Sequence, residues 1–325
     1  MKVHGHLADS VQEAVYLGDI VRTDGKNTSN IRSRVNKGVG IVSQIMDMLK
    51  SVSFGYRYFE IAITLREAHL INGMLTSADV WYGLQKSEIT ELEEVDRLLL
   101  RRILGAPDSV CLESLYLELG VIPIHVILKA RRVMYLHYLA TQKEDEMLHK
   151  VFITQWKYPV KDDWTEQAKI NMKELDINLN LEEIKTKSAN SFKRLVKIKE
   201  YTLEYLLELK ERHSKMEKLD YTELKLQKYL KNDEIPTEEA KNLFRFRTRS
   251  ALFKENMKNS FLQSVACPLC SVQPDNQTHS VQCTVVLSKT KVEGNYEDIF
   301  KEDIPPVISK TLLRISKLRE GILQS

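Results

Sequence analysis

Only one stretch of this 325-residue sequence reads as a strand. Residues 15–21, Val-Tyr-Leu-Gly-Asp-Ile-Val, mix β-branched and aromatic side chains, and Thr23-Asp24-Gly25-Lys26-Asn27 forms a turn cluster behind them. An isolated strand or hairpin is marginal in water, so the rest of the chain has to build its core from helices. The strand itself reads as the remnant of a sheet, and the chain as a fragment of something larger. Composition agrees: 12 glycines and 8 prolines are few for this length, and leucine, lysine and glutamate are plentiful. The expected fold is therefore mostly α: a residual strand or hairpin, a helical bundle, a charged helical linker and a small cysteine-bearing knuckle.

Apolar periodicity places the helices. Thr28 or Ser29 can cap a long helix whose apolar face is Ile31, Val35, Val39, Val42, Met46 and Leu49. Thr64 and Ser87 are similar caps before residues 65–82 and 88–104, and Gly105-Ala106-Pro107 ends the latter. Shorter helices are predicted over 110–119 and 123–139, with Pro123 in the tolerated first turn. Residues 156–164 read as an irregular boundary, 181–230 as a charged helix pair, 237–261 as a further helix, and Pro305-Pro306 opens an amphipathic one. The implied segments are 1–27, 28–150, 151–262, 263–287 and 288–325.

The strongest chemical signal is Cys267, Cys270, His279 and Cys283, spaced C-x2-C-x8-H-x3-C. Two thiols two residues apart can face one ion, and an i, i+4 His/Cys pair shares a helix face, so four soft donors can converge. Thiolate plus imidazole selects zinc over magnesium or calcium. Full ligation leaves no open position, so the expectation is one structural Zn2+ that supplies the folding energy of a loop too small for a core. Four cysteines, three of them clustered, suit a metal site in a reducing compartment better than a disulfide scaffold. Neither a signal peptide nor a membrane-length apolar run is present, so an intracellular location (nucleus or cytoplasm, no clear targeting signal) and no membrane partner are expected.

A formal charge of +3 is too small to mark the whole chain as a nucleic-acid binder, so local clusters must carry that reading. Arg245, Arg247 and Arg249, continued by Lys254 and Lys258, are expected to form two cationic strips. Leu243, Phe246, Phe253 and Met257 would face the core beneath them. On this reading, replacing the three arginines leaves the fold intact. Arg32, Arg34 and Lys37 crowd the first turns of the long helix, where cations oppose the helix dipole and a phosphate would relieve them. His4, His6, His69, His125, His137, His149 and His213 show no metal spacing with a second ligand. Asp162-Asp163 reads as a surface turn, and no Walker loop, HExxH or nucleophile elbow occurs.

Taken in order, the motifs resemble one family. Tyr16-Leu17-Gly18 followed by a turn and Ile31-Arg32-x-Arg34 resembles the primer-grip segment and first thumb helix of non-LTR retrotransposon reverse transcriptases. Trp81-Tyr82-Gly83, then Leu98 to Gly105 with Arg101-Arg102, resembles the stretch that continues it. Ser214 to Glu217, Tyr229-Leu230 and Phe244 to Arg249 resemble the linker of elements with a restriction-like endonuclease. Asp275-x-Gln277-x-His279 matches those elements' approach to the last two ligands.

The resemblance covers nearly the whole chain but not the fingers, the palm or the downstream nuclease. It implies a thumb, linker and knuckle that bind primer–template duplex, element RNA or target DNA. Because Asp162-Asp163 is the only aspartate pair and has no flanking strand pattern, no polymerisation by the chain alone is expected. The competing expectation is a zinc-stabilised helical protein-interaction module descended from such an element.

Overall fold

The computed structural model describes residues 2–3, 6–7, 11–16, 18–51, 57–161, 163–251, 253 and 266–323. The fold is mostly helical, with 64% helix and 3% strand. Short antiparallel pairs open the chain: β1 (Lys2–Val3) with β2 (His6–Leu7), and β3 (Glu13–Tyr16) with β4 (Asp19–Arg22). The helices that follow are α1 (Thr28–Ser51), α2 (Tyr58–Leu65), α3 (Asn72–Met74), α4 (Lys86–Leu104) and α5 (Leu112–Leu119). Next come α6 (Ile124–Ala140), α7 (Met147–Lys157), α8 (Trp164–Glu174), α9 (Leu181–Thr186), α10 (Ala189–Leu195) and α11 (Ile198–Lys210). The last are α12 (Thr237–Arg247), α13 (Gln277–Gln282), α14 (Thr284–Lys289) and α15 (Pro306–Leu323).

The predicted single strand over 15–21 is a hairpin. Tyr16 pairs with Asp19, and Gly18 takes φ +87° in the connection, so the Tyr16-Leu17-Gly18 motif is a turn. Leu17 lies outside the described residues. All of β3 is exposed, so the hairpin is tied down by polar contacts. Asn30 accepts from the Ile20 amide at 3.4 Å and donates to Asp19 at 3.2 Å, and Arg34 reaches Asp19 at 2.6 Å.

The buried stripe of α1 is Ile31, Arg34, Gly38, Val42, Ile45 and Leu49, a 3.6-residue period. It differs from the predicted one because Val39 is 45% exposed. Gly38 takes its place, where a Cβ would stand 2.5 Å from the Met74 sulfur. Thr64 is not a cap: α2 starts at Tyr58, and the Thr64 hydroxyl donates back to Glu60 O at 2.9 Å within the helix. Asp163, half of the acidic pair, caps α8 by accepting from the Glu166 amide at 2.7 Å. The charged pair expected over 181–230 is instead three short helices followed by 3-10 turns.

Contacts group into two compact units, each drawn from non-adjacent segments: 1–41, 68–96 and 123–198 in one, and 42–67, 97–122 and 199–325 in the other. The first is organised on α6, which packs against α7, α8, α9, α10 and the turn Ala78–Val80. Its helix is buried on several sides, from Ile124 through Leu136 to Ala140. Arg132 of that helix is buried too, with Nη1 on Asn171 at 2.5 Å and Nη2 on Trp81 O at 2.7 Å. Burial pushes its guanidinium down to about 10. His137 stacks on Phe192 and meets Lys187 O at 2.9 Å, and His149 meets Leu139 O at 3.1 Å, so both are satisfied core histidines.

The second unit packs α12 against α15 and sets α13 against α14 and α15. Within it, Gly120 closes α5 at φ +65°, and residues 225–227 lie directly against it, with Gln227 N donating to Glu118 O at 3.0 Å. A Cβ at Gly120 would overlap backbone atoms of Lys225 and Leu226. Gly120→Ala is therefore expected to cost more than the ~1–2 kcal/mol of a left-handed L-residue alone. Urea unfolding followed by circular dichroism measures it, and a wild-type midpoint would contradict this packing.

Candidate metal centre

The cysteine-bearing loop is shaped by its own backbone. Ala266 bridges Pro274, the Cys267 amide donates to Gln273 O at 2.7 Å, and Ser271 N returns to Cys267 O at 2.8 Å. Ser271 takes φ +56°, which turns the chain after Cys270 back towards the bridge at Pro274. Asn276 then caps α13, accepting from the His279 amide at 2.7 Å, and thereby orients the helix that carries the imidazole. Cys283 stands at the break between α13 and α14, beyond the end of the helix that carries His279. The predicted shared helix face is thus replaced by a bend.

The result is that the donor atoms of Cys267, Cys270, His279 and Cys283 all lie within 4.8 Å of one another and could hold a metal ion. Cys270 Sγ and His279 Nε2 are 3.3 Å apart. Bonds of ~2.0–2.3 Å place tetrahedral donors ~3.3–3.8 Å apart, so that contact already has ligand-to-ligand spacing. Cys267 and Cys283 are 1% and 0% exposed, His279 is buried, and Cys270 faces partly outward. Amides of Val272 and Gln273 lower the Cys270 thiol to about 6, whereas burial, with Cys283 nearby, raises that of Cys267.

The motif residues around the ligands turn out to fasten the loop to its unit. Asp275 takes a two-pronged ion pair from Arg319 of α15, at 2.7 and 3.0 Å, with both side chains buried. The Arg319 guanidinium also lies 4.3 Å from the Phe253 ring centroid. Gln277 donates to Phe246 O and to the Tyr296 hydroxyl, each at 2.8 Å. Arg319 was not visible from sequence spacing, because its partner lies 44 residues away.

The basic residues separate sharply. Arg32 and Lys37 are exposed on α1. Arg34 is buried and held by Asp19 and by Gly73 O, which corrects its assignment to a phosphate-facing cluster. Burial raises the Asp19 carboxyl, but hydrogen bonds from Arg34, Ser77 and Asn30 outweigh it and hold the group below its usual value.

Helix α12 ends at Arg247, not near residue 261, and Arg249 follows in the left-handed region at φ +47°. Arg247 is 2% exposed, with Nε 3.1 Å from Glu118, which is 0% exposed. Its Nη1 donates to the carbonyls of Ile299 and Lys301, and its guanidinium lies 5.0 Å from the Tyr229 ring centroid. It belongs to the core, not to an outward strip, because α12 presents that position to α5 within the same unit. A lone acid in the apolar run Leu115-Tyr116-Leu117-Glu118-Leu119 was the sequence signal that a buried cation had to meet it.

Arg245 is half-buried, with Nε on Gly105 O at 2.7 Å. Arg249 lines a polar cavity of about 160 Å³ with Lys218, Asn276, Gln277, Thr278, Tyr296 and Phe300. Lys254, Lys258 and Met257 lie outside the described residues. Of the primer-grip-like residues, Tyr16 and Gly18 are exposed.

Among the described residues a second cluster of metal-capable donors occurs that sequence spacing did not suggest: Cys111, Glu113 and His213. No described helix is long and apolar enough to cross a membrane. Comparison with protein families, with curated proteins and with solved structures finds no match to this chain.

Proposed function

We propose that this chain is a nucleic-acid-binding, carboxy-terminal part of a reverse transcriptase of the non-LTR retrotransposon kind, built around one structural zinc. The observation that carries this reading is the convergence of Cys267, Cys270, His279 and Cys283 inside a loop whose Asp275 and Gln277 are pinned to neighbouring helices. Three thiolates and an imidazole favour zinc, and four protein ligands leave no position for hydrolytic chemistry. The ion would hold the loop in shape, and the loop would present nearby cations to RNA or DNA.

Of the predicted backbone contacts, those at least partly exposed among the described residues are Arg32 and Lys37 on α1 and Arg245 and Arg249 at the end of α12. Each neutralised phosphate releases counterions, so binding should weaken with salt by a logarithmic slope of roughly −0.7 to −0.9 per contact. Replacing these four residues by alanine is expected to lower affinity for RNA and for duplex DNA alike and to flatten the slope. Fluorescence anisotropy at several salt concentrations measures both.

The burial of Arg34 and Arg247 favours a second reading, since it takes two predicted contacts off the surface. A zinc-stabilised helical protein-interaction module needs no cationic face. That reading prevails if the intact chain binds neither RNA nor DNA in a salt-dependent way.

A further inference from the structure

We propose that Cys111, Glu113 and His213 form a second metal site, open to solvent on one side, for a divalent ion of the zinc class. Cys111 is the residue preceding α5, Glu113 lies in that helix's first turn, and His213 follows α11, brought in by the 3-10 turn Ser214–Met216. Their donor atoms lie within 4.8 Å of one another. Glu113 Oε2 is the meeting point: Cys111 Sγ–H donates to it at 2.8 Å, and His213 Nε2 stands 3.4 Å from it.

The chemistry of the donor set points to a metal. A thiol, a carboxylate and an imidazole are the three donor types that zinc takes, and sites with three protein ligands keep a fourth position for water or another ligand. Insertion replaces the thiol proton by the ion, the proton leaving to solvent. Thiolate and carboxylate together then balance the charge of the dication, so no net charge is buried. Burial and the Glu113 carboxylate push the free Cys111 thiol up to about 12 against the amides of Ser114 and Glu113, so the incoming ion has to displace a held proton.

Burial is graded across the site. Cys111 is 7% exposed and the Glu113 side chain 14%, whereas the His213 side chain is 47% exposed. The fourth position therefore lies on the His213 side, and the ion held there exchanges, unlike one enclosed by four ligands. The site shares no residue with Cys267, Cys270, His279 and Cys283.

The test is a Co2+ titration of the full chain, stripped of metal under reducing conditions, with thiolate-to-cobalt absorption as the readout. The wild type is expected to take up two equivalents, a tight one and a weaker one. Cys270→Ser should lose the tight equivalent and keep the weaker. Cys111→Ser should lose the absorption of the weaker one. His213→Ala alters a half-exposed side chain, so it spares the fold. It should weaken the second equivalent by more than the roughly 10–100-fold that loss of an outer-shell partner costs. A wild type that takes up one equivalent, lost in Cys270→Ser, overturns the proposal, and so does a folded His213→Ala chain whose second equivalent binds as tightly as before. A wild type whose one equivalent survives Cys270→Ser and is lost in Cys111→Ser counts against the knuckle and supports the second site.

Discussion

Cys270→Ser protein should come through dialysis without the tightly held ion that the wild type retains. Each of the four donors supplies one corner of the site, and a serine hydroxyl replaces a thiolate that neighbouring amides already favour. Apparent binding energies of ~10–16 kcal/mol for structural zinc in small fingers show how much folding such an ion can carry. The loop has few other means of holding its shape. The buried residues of the loop are the ligands Cys267, His279 and Cys283, with Asp275, Gln277 and Ser280 beside them and no large apolar side chain.

Hydrogen exchange over residues 266–289 should therefore rise markedly in the variant, while α6 and its neighbours in the other unit stay protected. Metal analysis and exchange together decide the matter. Full occupancy in Cys270→Ser would sink the assignment of the ligands.

The second large effect is expected at Arg247. Removing one partner of a buried ion pair leaves an uncompensated charge and typically costs ~3–5 kcal/mol. Arg247→Ala strands Glu118 in this way, and it also leaves the carbonyls of Ile299 and Lys301 without their donor. Arg245→Ala, two residues away, removes a half-buried side chain whose one described hydrogen bond goes to Gly105 O, worth ~0.5–1.5 kcal/mol. The pair of variants thus separates a core arginine from a peripheral one on the same helix.

The readout needs care, because Trp81, Trp156 and Trp164 all belong to the other unit and their fluorescence reports on its surroundings. Amide exchange in α5 and α12 reads the affected unit directly. Equal protection in Arg247→Ala and wild type would contradict the buried pair. The same result bears on the expectation, drawn from sequence, that all three arginines can be replaced with the fold untouched. Arg247 makes that impossible.

Some of this protein was legible in its residues. Scarce glycine and proline, together with recurrent apolar positions at three- and four-residue spacing, already determine a mostly helical fold. These are local properties that each segment carries by itself. The same holds for Gly105-Ala106-Pro107 ending α4 and Pro306 opening α15. The four donors of the candidate metal centre were legible as well, since 17 residues contain them all and a short loop has few ways to arrange two thiols, an imidazole and a third thiol.

What periodicity could not decide was which neighbour each face meets. Val39 and Gly38 are adjacent on α1, and only the position of Met74 makes the glycine the buried one. Arg34 and Arg247 look like surface cations until Asp19 and Glu118 are placed opposite them, the second from 129 residues away. Cys111 and His213 are separated by about a hundred residues, a span over which no spacing rule applies, and they meet only because α5 and the turn after α11 pack in one unit. Helix and ligand spacing are set by covalent geometry over a few residues. Whether a charge is buried, and with what, is set by long-range packing, and that only the tertiary structure decided.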